Sequence, residues 1–215
     1  MNAIEIRNLK KTFGRQIVLN DVSLSVPKGS IMGLVGNNGS GKSVLMKCIC
    51  GLVIPDYGEI RVLGQRIGLD VDFPKQVGAL IERPGFLLNR SGYENLRCLW
   101  EMRPSVPKDN IQKKIALVGL NPDDKKIVRK YSLGMRQRLG IALALLEDPE
   151  IMILDEPCNG LDCSGTDEMR TLLKSQRKSG KTILIASHNP EDIYELCDAY
   201  CKMDAGKLMS VQQLS

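Results

Sequence analysis

One eight-residue segment constrains this chain more than any other feature: residues 36–43 read Gly-Asn-Asn-Gly-Ser-Gly-Lys-Ser. The segment fits the pattern G-x-x-x-x-G-K-[ST], follows the apolar run 31–35 and precedes a helical pattern, which is the context this pattern requires. Its glycines allow successive backbone N–H groups to face a phosphate, and the start of the next helix adds positive potential. A glycine-rich turn without chemical meaning is the weaker alternative, because a Lys-Ser pair stands at the helix start.

We therefore predict a nucleotide-binding loop in which Lys42 reaches the β- and γ-phosphate oxygens and Ser43 holds Mg²⁺. The candidate nucleotide-binding residues are Gly36, Asn37, Asn38, Gly39, Ser40, Gly41, Lys42, Ser43 and Val44.

Two adjacent carboxylates follow a second apolar run, residues 151–154. A nucleotide hydrolase of this loop type places its second magnesium element at such a strand end. We predict that Asp155 binds Mg²⁺, directly or through water, and that Glu156 polarises the attacking water as a general base. A strand that merely meets an acidic turn is the plain alternative, and the loop at 36–43 makes it the weaker one.

The chain has a single histidine, His188, just beyond the apolar run 182–186. A lone histidine is more often an ordinary surface or packing residue. Ligands of open α/β sheets bind at the carboxyl ends of the strands, however, and this position favours a role in sensing the γ-phosphate.

Residues 131–135, Tyr-Ser-Leu-Gly-Met, precede a helical pattern. Ser132 is predicted to be the N-cap of that helix. With the backbone of Gly134 and the helix dipole it would also offer a site for an anion. The pattern alone favours the plain cap.

The distribution of apolar runs predicts the fold class. Alternation at 3–9, 22–26 and 59–63 predicts a small antiparallel β-layer, whereas the continuous runs 31–35, 77–81, 151–154 and 182–186 predict buried parallel strands. Helical patterns cover 42–52, 91–102, 108–118, 134–147 and 165–178. We predict an α/β three-layer fold in one domain, residues 1–215, with a helical subdomain at about 85–148.

Composition limits the partners. Net charge is +5 and no block of Lys and Arg interrupts the sequence, so no nucleic-acid partner is expected.

Seven cysteines, an odd number in a chain of ordinary size, favour reduced, buried thiols in a cytosol. We expect no secretory signal at the start of the chain. The apolar runs are too short to span a bilayer, so any membrane would be spanned by another protein.

Together these residues resemble the ATP-binding subunits of ABC transporters along essentially the whole chain. The family's signature, usually Leu-Ser-Gly-Gly-Gln, is similar to residues 131–135, which keep the serine and the second glycine. Residues 159–162, Asn-Gly-Leu-Asp, resemble the D-loop that crosses the dimer interface. The resemblance implies a P-loop NTPase core, a switch role for His188, and Phe13 as the aromatic residue that stacks on adenine.

One departure from the family stands at Glu82, where a glutamine is usual. The resemblance implies that this carboxylate approaches Mg²⁺ and water, and it adds a negative charge. Together with the sequences at 131–135 and 159–162, Glu82 looks like the bacitracin-resistance and lantibiotic-immunity branch of bacterial exporters. That branch implies self-protection, or efflux of a drug or peptide, through a separate membrane permease.

The family resemblance also implies the working assembly. Two nucleotide-binding subunits, identical or different, would close head to tail so that Ser132 and Gly134 of one clamp the ATP held by the other. The subunit would bind ATP and Mg²⁺ and lie in the cytoplasm at the inner face of the membrane, attached only through the permease.

Three alternatives stay open at this point. A soluble ABC-type ATPase usually needs a coiled-coil insertion or a second cassette, which 215 residues with one phosphate loop do not provide. A small-molecule kinase shares the loop but lacks the signature, the D-loop and the histidine. A regulatory module without hydrolysis would not need to retain Lys42, Asp155, Glu156 and His188.

Overall fold

The computed structural model describes residues 1–82, 84–102 and 107–214, and its strands form two sheets. The smaller sheet is antiparallel, in the order β2-β1-β4-β5. Its strands are β1 (Asn2–Phe13), β2 (Gln16–Pro27), β4 (Tyr57–Val62) and β5 (Gln65–Arg66). The alternating segments predicted this layer, and the strand predicted at 59–63 joins it through β1.

The larger sheet holds β3 (Ile31–Val35), β6 (Val77–Leu80), β7 (Ile151–Asp155), β8 (Thr182–Ser187) and β9 (Ala199–Asp204). These strands are parallel and lie in the order β9-β3-β8-β7-β6. The short strands β10 (Lys207–Leu208) and β11 (Gln212–Gln213) pair antiparallel with β9. Only β8 lies between β3 and β7 in this order. Because the three strands are parallel, the loop after β3 and the end of β7 lie at the same edge of the sheet, close to each other.

The helices are α1 (Lys42–Ile49), α2 (Gly92–Met102), α3 (Asn110–Leu117), α4 (Leu133–Ala144), α5 (Cys163–Lys178) and α6 (Pro190–Leu196). A 3-10 turn covers Val128–Lys130. Among the described residues, α2, α3 and α4 lie between β6 and β7, within the stretch for which a helical subdomain was predicted. Pro104, one of the prolines that interrupt this stretch, is outside the described residues.

Buried side chains alternate between the two faces of the larger sheet. Met152 and Leu154 on β7 pack in one cluster with residues of α4 and α5. Ile151 and Ile153 pack in the other, with residues of α1 and of the antiparallel layer. Because neighbouring residues of a strand point to opposite faces, a strand covered on both sides is apolar throughout. The predicted three-layer arrangement follows from this packing.

The strands β9, β10 and β11 and the helix α6 were not predicted from the sequence patterns. The sequence holds signals for two of them: residues 199–204, Ala-Tyr-Cys-Lys-Met-Asp, alternate small or apolar with larger, more polar side chains, and Asn189 precedes Pro190 as an N-cap precedes a proline at the first helical position. With seven residues, α6 is too short for a clear helical period.

Burial accounts for most of the cysteines. Burial raises the pKa of the Cys50, Cys158, Cys197 and Cys201 thiols to about 12. A thiol in that state is a poor nucleophile, because the thiolate is the reactive form. No helix within 1–82, 84–102 and 107–214 has the length and apolar character needed to cross a bilayer.

Candidate functional site

The loop at residues 36–43 connects β3 to α1 and has two glycines with left-handed backbones. Gly39 has φ +80° and Gly41 has φ +107°, values that other residues adopt only with strain. At Gly36 the constraint is space, since a Cβ there would lie 2.2 Å from the carbonyl oxygen of Met203. The loop therefore needs glycine for backbone conformation at two positions and for close packing against β9 at a third.

Lys42, the first residue of α1, turns its side chain back over the loop. Its Nζ donates to the carbonyl oxygens of Gly36, at 2.6 Å, and of Asn37, at 3.2 Å. Only 6% of the residue is exposed. A buried ammonium requires oxygen partners, and phosphate oxygens at the loop would provide the same chemistry.

Ser43 joins the loop to the end of β7. Its hydroxyl donates to Oδ2 of Asp155 over 2.6 Å, although the residues are 112 positions apart in the chain. A hydroxyl and a carboxylate are hard oxygen donors, and Mg²⁺ in nucleotide sites is held by one or two such groups together with phosphates and water. These two residues therefore fit the predicted metal.

Glu156 follows β7 with a left-handed backbone, φ +52°, which turns its carboxylate toward His188. Oε1 of Glu156 accepts from the backbone N–H of His188 at 3.1 Å and lies 2.8 Å from Nδ1 of the imidazole. The imidazole side chain is 64% exposed and the carboxylate side chain 22%. The predicted general base and the predicted γ-phosphate sensor are thus in direct contact.

Glu82 lies close to this group on the side of α1. It also has a left-handed backbone, φ +59°, and Oε1 of its carboxylate accepts from Nζ of Lys47 at 2.6 Å. Lys47 and Ser43 are four residues apart on α1 and so share one face of the helix. The extra negative charge at position 82 therefore has a lysine partner next to the candidate metal ligands.

An open cleft of about 620 Å³ connects these residues. Its lining includes most of the predicted site: Asn38, Gly39, Gly41, Lys42, Ser43, Val44, Glu82, Asp155 and Glu156. Gly36 and Ser40 are buried beneath it. The volume lies within the range typical of small-ligand sites.

Seven predicted residues are outside the lining of this cleft: the buried Gly36 and Ser40, and also Asn37, Phe13, His188, Ser132 and Gly134. Phe13 is 49% exposed at the end of β1, and its ring lies 5.3 Å from Nζ of Lys11, the geometry of a cation–π contact. His188 contacts Glu156, which does line the cleft. Ser132 caps α4 by accepting from the N–H of Met135 at 3.1 Å, as predicted, and Gly134 packs against Gly160.

The cleft is also lined by residues that were not predicted as site residues: Gln16, Val18, Leu133, Gln137 and Asn159. Asn159 belongs to the segment already identified as resembling a D-loop. Gln16 and Val18 come from the antiparallel layer, which no motif connects to the loop at 36–43. Gln137 is a polar residue one turn after the first residue of α4, and its side chain donates to the backbone of Glu156.

A family model described as "ABC transporter" matches residues 19–159. Among curated relatives, the bacitracin transport ATP-binding protein BcrA of Enterococcus faecalis is 42% identical, over 99% of this chain and 70% of the relative. The lantibiotic transport ATP-binding protein SrtF of Streptococcus pyogenes is 39% identical, over 96% of this chain and 89% of the relative.

Solved structures confirm the predicted fold class. A structure described as an ATP binding subunit of an ABC transporter is 26% identical and superimposes with a TM-score of 0.87, over 99% of this chain and 90% of the other. A dimeric ATP-binding cassette in a post-hydrolysis state bound to ADP and Pi superimposes with a TM-score of 0.88 at 20% identity, over 99% of both chains.

Proposed function

The chain belongs to the ABC transporter family as an ATP-binding and ATP-hydrolysing subunit, and from this premise we propose that it powers export of a drug, bacteriocin or peptide through a separate membrane permease. Its similarity to bacitracin and lantibiotic transport proteins along nearly its whole length supports that class of cargo. The observation that carries the mechanism is the single cleft lined by Lys42, Ser43, Asp155 and Glu156.

In the proposed mechanism the triphosphate of ATP lies along the loop at 36–43. The Lys42 ammonium exchanges its carbonyl partners in the loop for β- and γ-phosphate oxygens, while backbone N–H groups and the start of α1 face the negative charge. Ser43 and Asp155 would hold Mg²⁺, which would neutralise charge on the β- and γ-phosphates.

Glu156 acts on the attacking water. Its carboxylate accepts a proton from the water as the water oxygen bonds to the γ-phosphorus. The bond from that phosphorus to the bridging oxygen breaks, and its electron pair stays on the β-phosphate. His188 holds Oε1 of this carboxylate through its ring and its backbone N–H. The other carboxylate oxygen is then available for the water.

We propose that two such subunits, identical or different, close head to tail around two ATP molecules. Ser132 and Gly134 lie outside the cleft of their own chain, at the exposed start of α4. In this arrangement they would face the γ-phosphate bound by the partner copy. The dimeric cassette of the same fold supports an assembly of this kind.

The permease is proposed to dock on an apolar groove beside β6 and α2. The groove has a volume of about 450 Å³, and its lining includes Leu80, Ile81, Phe86, Leu99, Met102 and Leu143. Met102 is 81% exposed, an unfavourable position for an apolar side chain in water. Glu82 directly follows Ile81, so closure at the ATP site would reach this groove. The subunit would then lie at the cytoplasmic face of the membrane.

The test is ATP-driven dimerisation of the purified chain. Glu156→Gln removes the base but not the binding groups, so with ATP and Mg²⁺ it should form a dimer by light scattering and hydrolyse ATP far more slowly than wild type. Lys42→Ala should neither dimerise nor turn over. If Glu156→Gln stays monomeric and hydrolyses ATP at the wild-type rate, the proposal is wrong. ATP binding without turnover in wild type would favour a regulatory module.

A further inference from the structure

Helix α4 is bonded directly to the peptide that orients Glu156. Nε2 of Gln137 donates to the carbonyl oxygen of Glu156 over 2.8 Å, in a partly buried position. The same carbonyl accepts from the N–H of Asn159 at 3.1 Å, and the N–H of Glu156 donates to Ala186 at 2.8 Å. Among these bonds, only the one from Gln137 comes from a side chain of α4.

The backbone at Glu156 needs such support. Its φ of +52° is strained for a residue with a Cβ, and the next residue is Pro157, which restricts the preceding residue and has no N–H to donate. Strained backbone of this kind persists where surrounding contacts hold it. A hydrogen bond to the Glu156 carbonyl fixes the plane of the peptide that determines where the carboxylate points.

The start of α4 makes a second, independent contact with the same segment. A Cβ at Gly160 would lie 2.5 Å from the side chain of Leu133, and a Cβ at Gly134 would lie 2.9 Å from the carbonyl oxygen of Gly160. Leu133 and Gln137, four residues apart, both line the cleft. The first turns of α4 and residues 156–160 therefore pack as one unit.

We infer that Gln137 is a positioning residue that couples the start of α4 to the general base of the same chain. This inference rests on the proposed head-to-tail dimer. There, the start of α4 faces the ATP bound by the partner, while Glu156 faces the ATP bound by its own chain. Engagement of α4 at one ATP site thereby sets the orientation of the base at the other, and hydrolysis at the two sites becomes cooperative.

The experiment compares three replacements of Gln137 in the purified protein. Gln137→Glu and Gln137→Met keep the approximate size but cannot donate the hydrogen bond, whereas Gln137→Lys can. We expect Gln137→Glu and Gln137→Met to lower kcat about tenfold, the effect of losing one orienting hydrogen bond. Both should also bring the Hill coefficient for ATP toward 1, with KM within about twofold of wild type. Gln137→Lys should recover most of the wild-type kcat and Hill coefficient.

The matched control is Gln112→Met, which makes the same replacement at an exposed position of α3 and should leave kcat and the Hill coefficient unchanged. Each Gln137 variant is also combined with Glu156→Gln, and ATP-driven dimerisation should persist. An equal loss of kcat in Gln137→Lys, Gln137→Glu and Gln137→Met would overturn the inference. So would an unchanged kcat and Hill coefficient in Gln137→Glu and Gln137→Met. Failure of Glu156→Gln alone to dimerise would instead count against the proposed function.

Discussion

Nδ1 of His188 lies 2.8 Å from Oε1 of Glu156, and the backbone N–H of the same histidine donates to the same oxygen at 3.1 Å. One residue therefore holds the candidate base in two ways, and only one of them depends on the side chain. This distinction determines what replacement of the histidine should do.

His188→Ala should lower kcat by about tenfold to a hundredfold, a smaller effect than removal of the base itself, because the backbone bond remains. The dissociation constant for ATP should change little, since the Lys42 loop is intact. Steady-state hydrolysis and calorimetric ATP binding measure the two quantities. His188→Gln keeps a polar group near Oε1, so its kcat should lie between those of wild type and His188→Ala. An unchanged kcat in the alanine variant would contradict a role for the ring.

The Lys47–Glu82 pair should contribute little to stability, because its side chains are 29% and 60% exposed. A double-mutant cycle with Lys47→Met and Glu82→Gln should give a coupling of about 0.2–1 kcal/mol in the free energy of unfolding, measured with urea.

The Lys47–Glu82 pair should have a clearer effect on the Mg²⁺ dependence of nucleotide binding. Lys47→Met leaves the Glu82 carboxylate without its cation, so the Mg²⁺ concentration that half-saturates nucleotide binding should fall. The double variant removes both charges and should return this concentration toward the wild-type value. No change in any of the three proteins would mean that Glu82 does not influence the metal.

Two glycines of the phosphate loop should differ in their tolerance of a methyl group. Gly39→Ala meets no atom within 4 Å but keeps φ +80°, so it should cost about 1–2 kcal/mol of stability from backbone strain. Gly36→Ala places a Cβ 2.2 Å from a backbone carbonyl of β9 and should cost more. Thermal unfolding of the two variants gives the comparison. Equal midpoints would show that the contact with Met203 relaxes easily.

Asp148 should make part of the stability depend on pH. The hydrogen bond from Lys181, followed by that from Lys114, holds the pKa of this carboxyl below its usual value, against the opposing effect of desolvation. Because the folded-state pKa is lowered, the stabilisation is present above the unfolded value of about 3.9 and disappears as pH falls through the folded-state pKa.

Asp148→Asn tests this dependence without changing the backbone, because asparagine tolerates the φ of +52° at this position. At pH 7 the variant should be less stable than wild type by less than about 1 kcal/mol, since the side chain is 62% exposed. The difference should shrink in acid, as urea unfolding at pH 7 and pH 3 would measure. If wild type and Asp148→Asn differ in the free energy of unfolding by the same amount at pH 7 and pH 3, Asp148 is not the source of the pH dependence.

The sequence by itself determined the features that are local in the chain. Gly36 to Ser43 and the pair Asp155-Glu156 were recognisable because short spacing between a strand, a turn and a helix fixes which residues face a ligand. The parallel core strands were recognisable because a strand buried on both faces is apolar throughout.

Only the tertiary structure decided which distant residues meet at the cleft. Gln137 of α4 contacts Glu156 after β7, Lys47 of α1 contacts Glu82 after β6, and the antiparallel layer contributes Gln16 and Val18 to the lining. These contacts join residues 19 and 35 positions apart or come from another sheet. No local pattern encodes them, because they depend on strand order and helix packing, which the whole core sets at once.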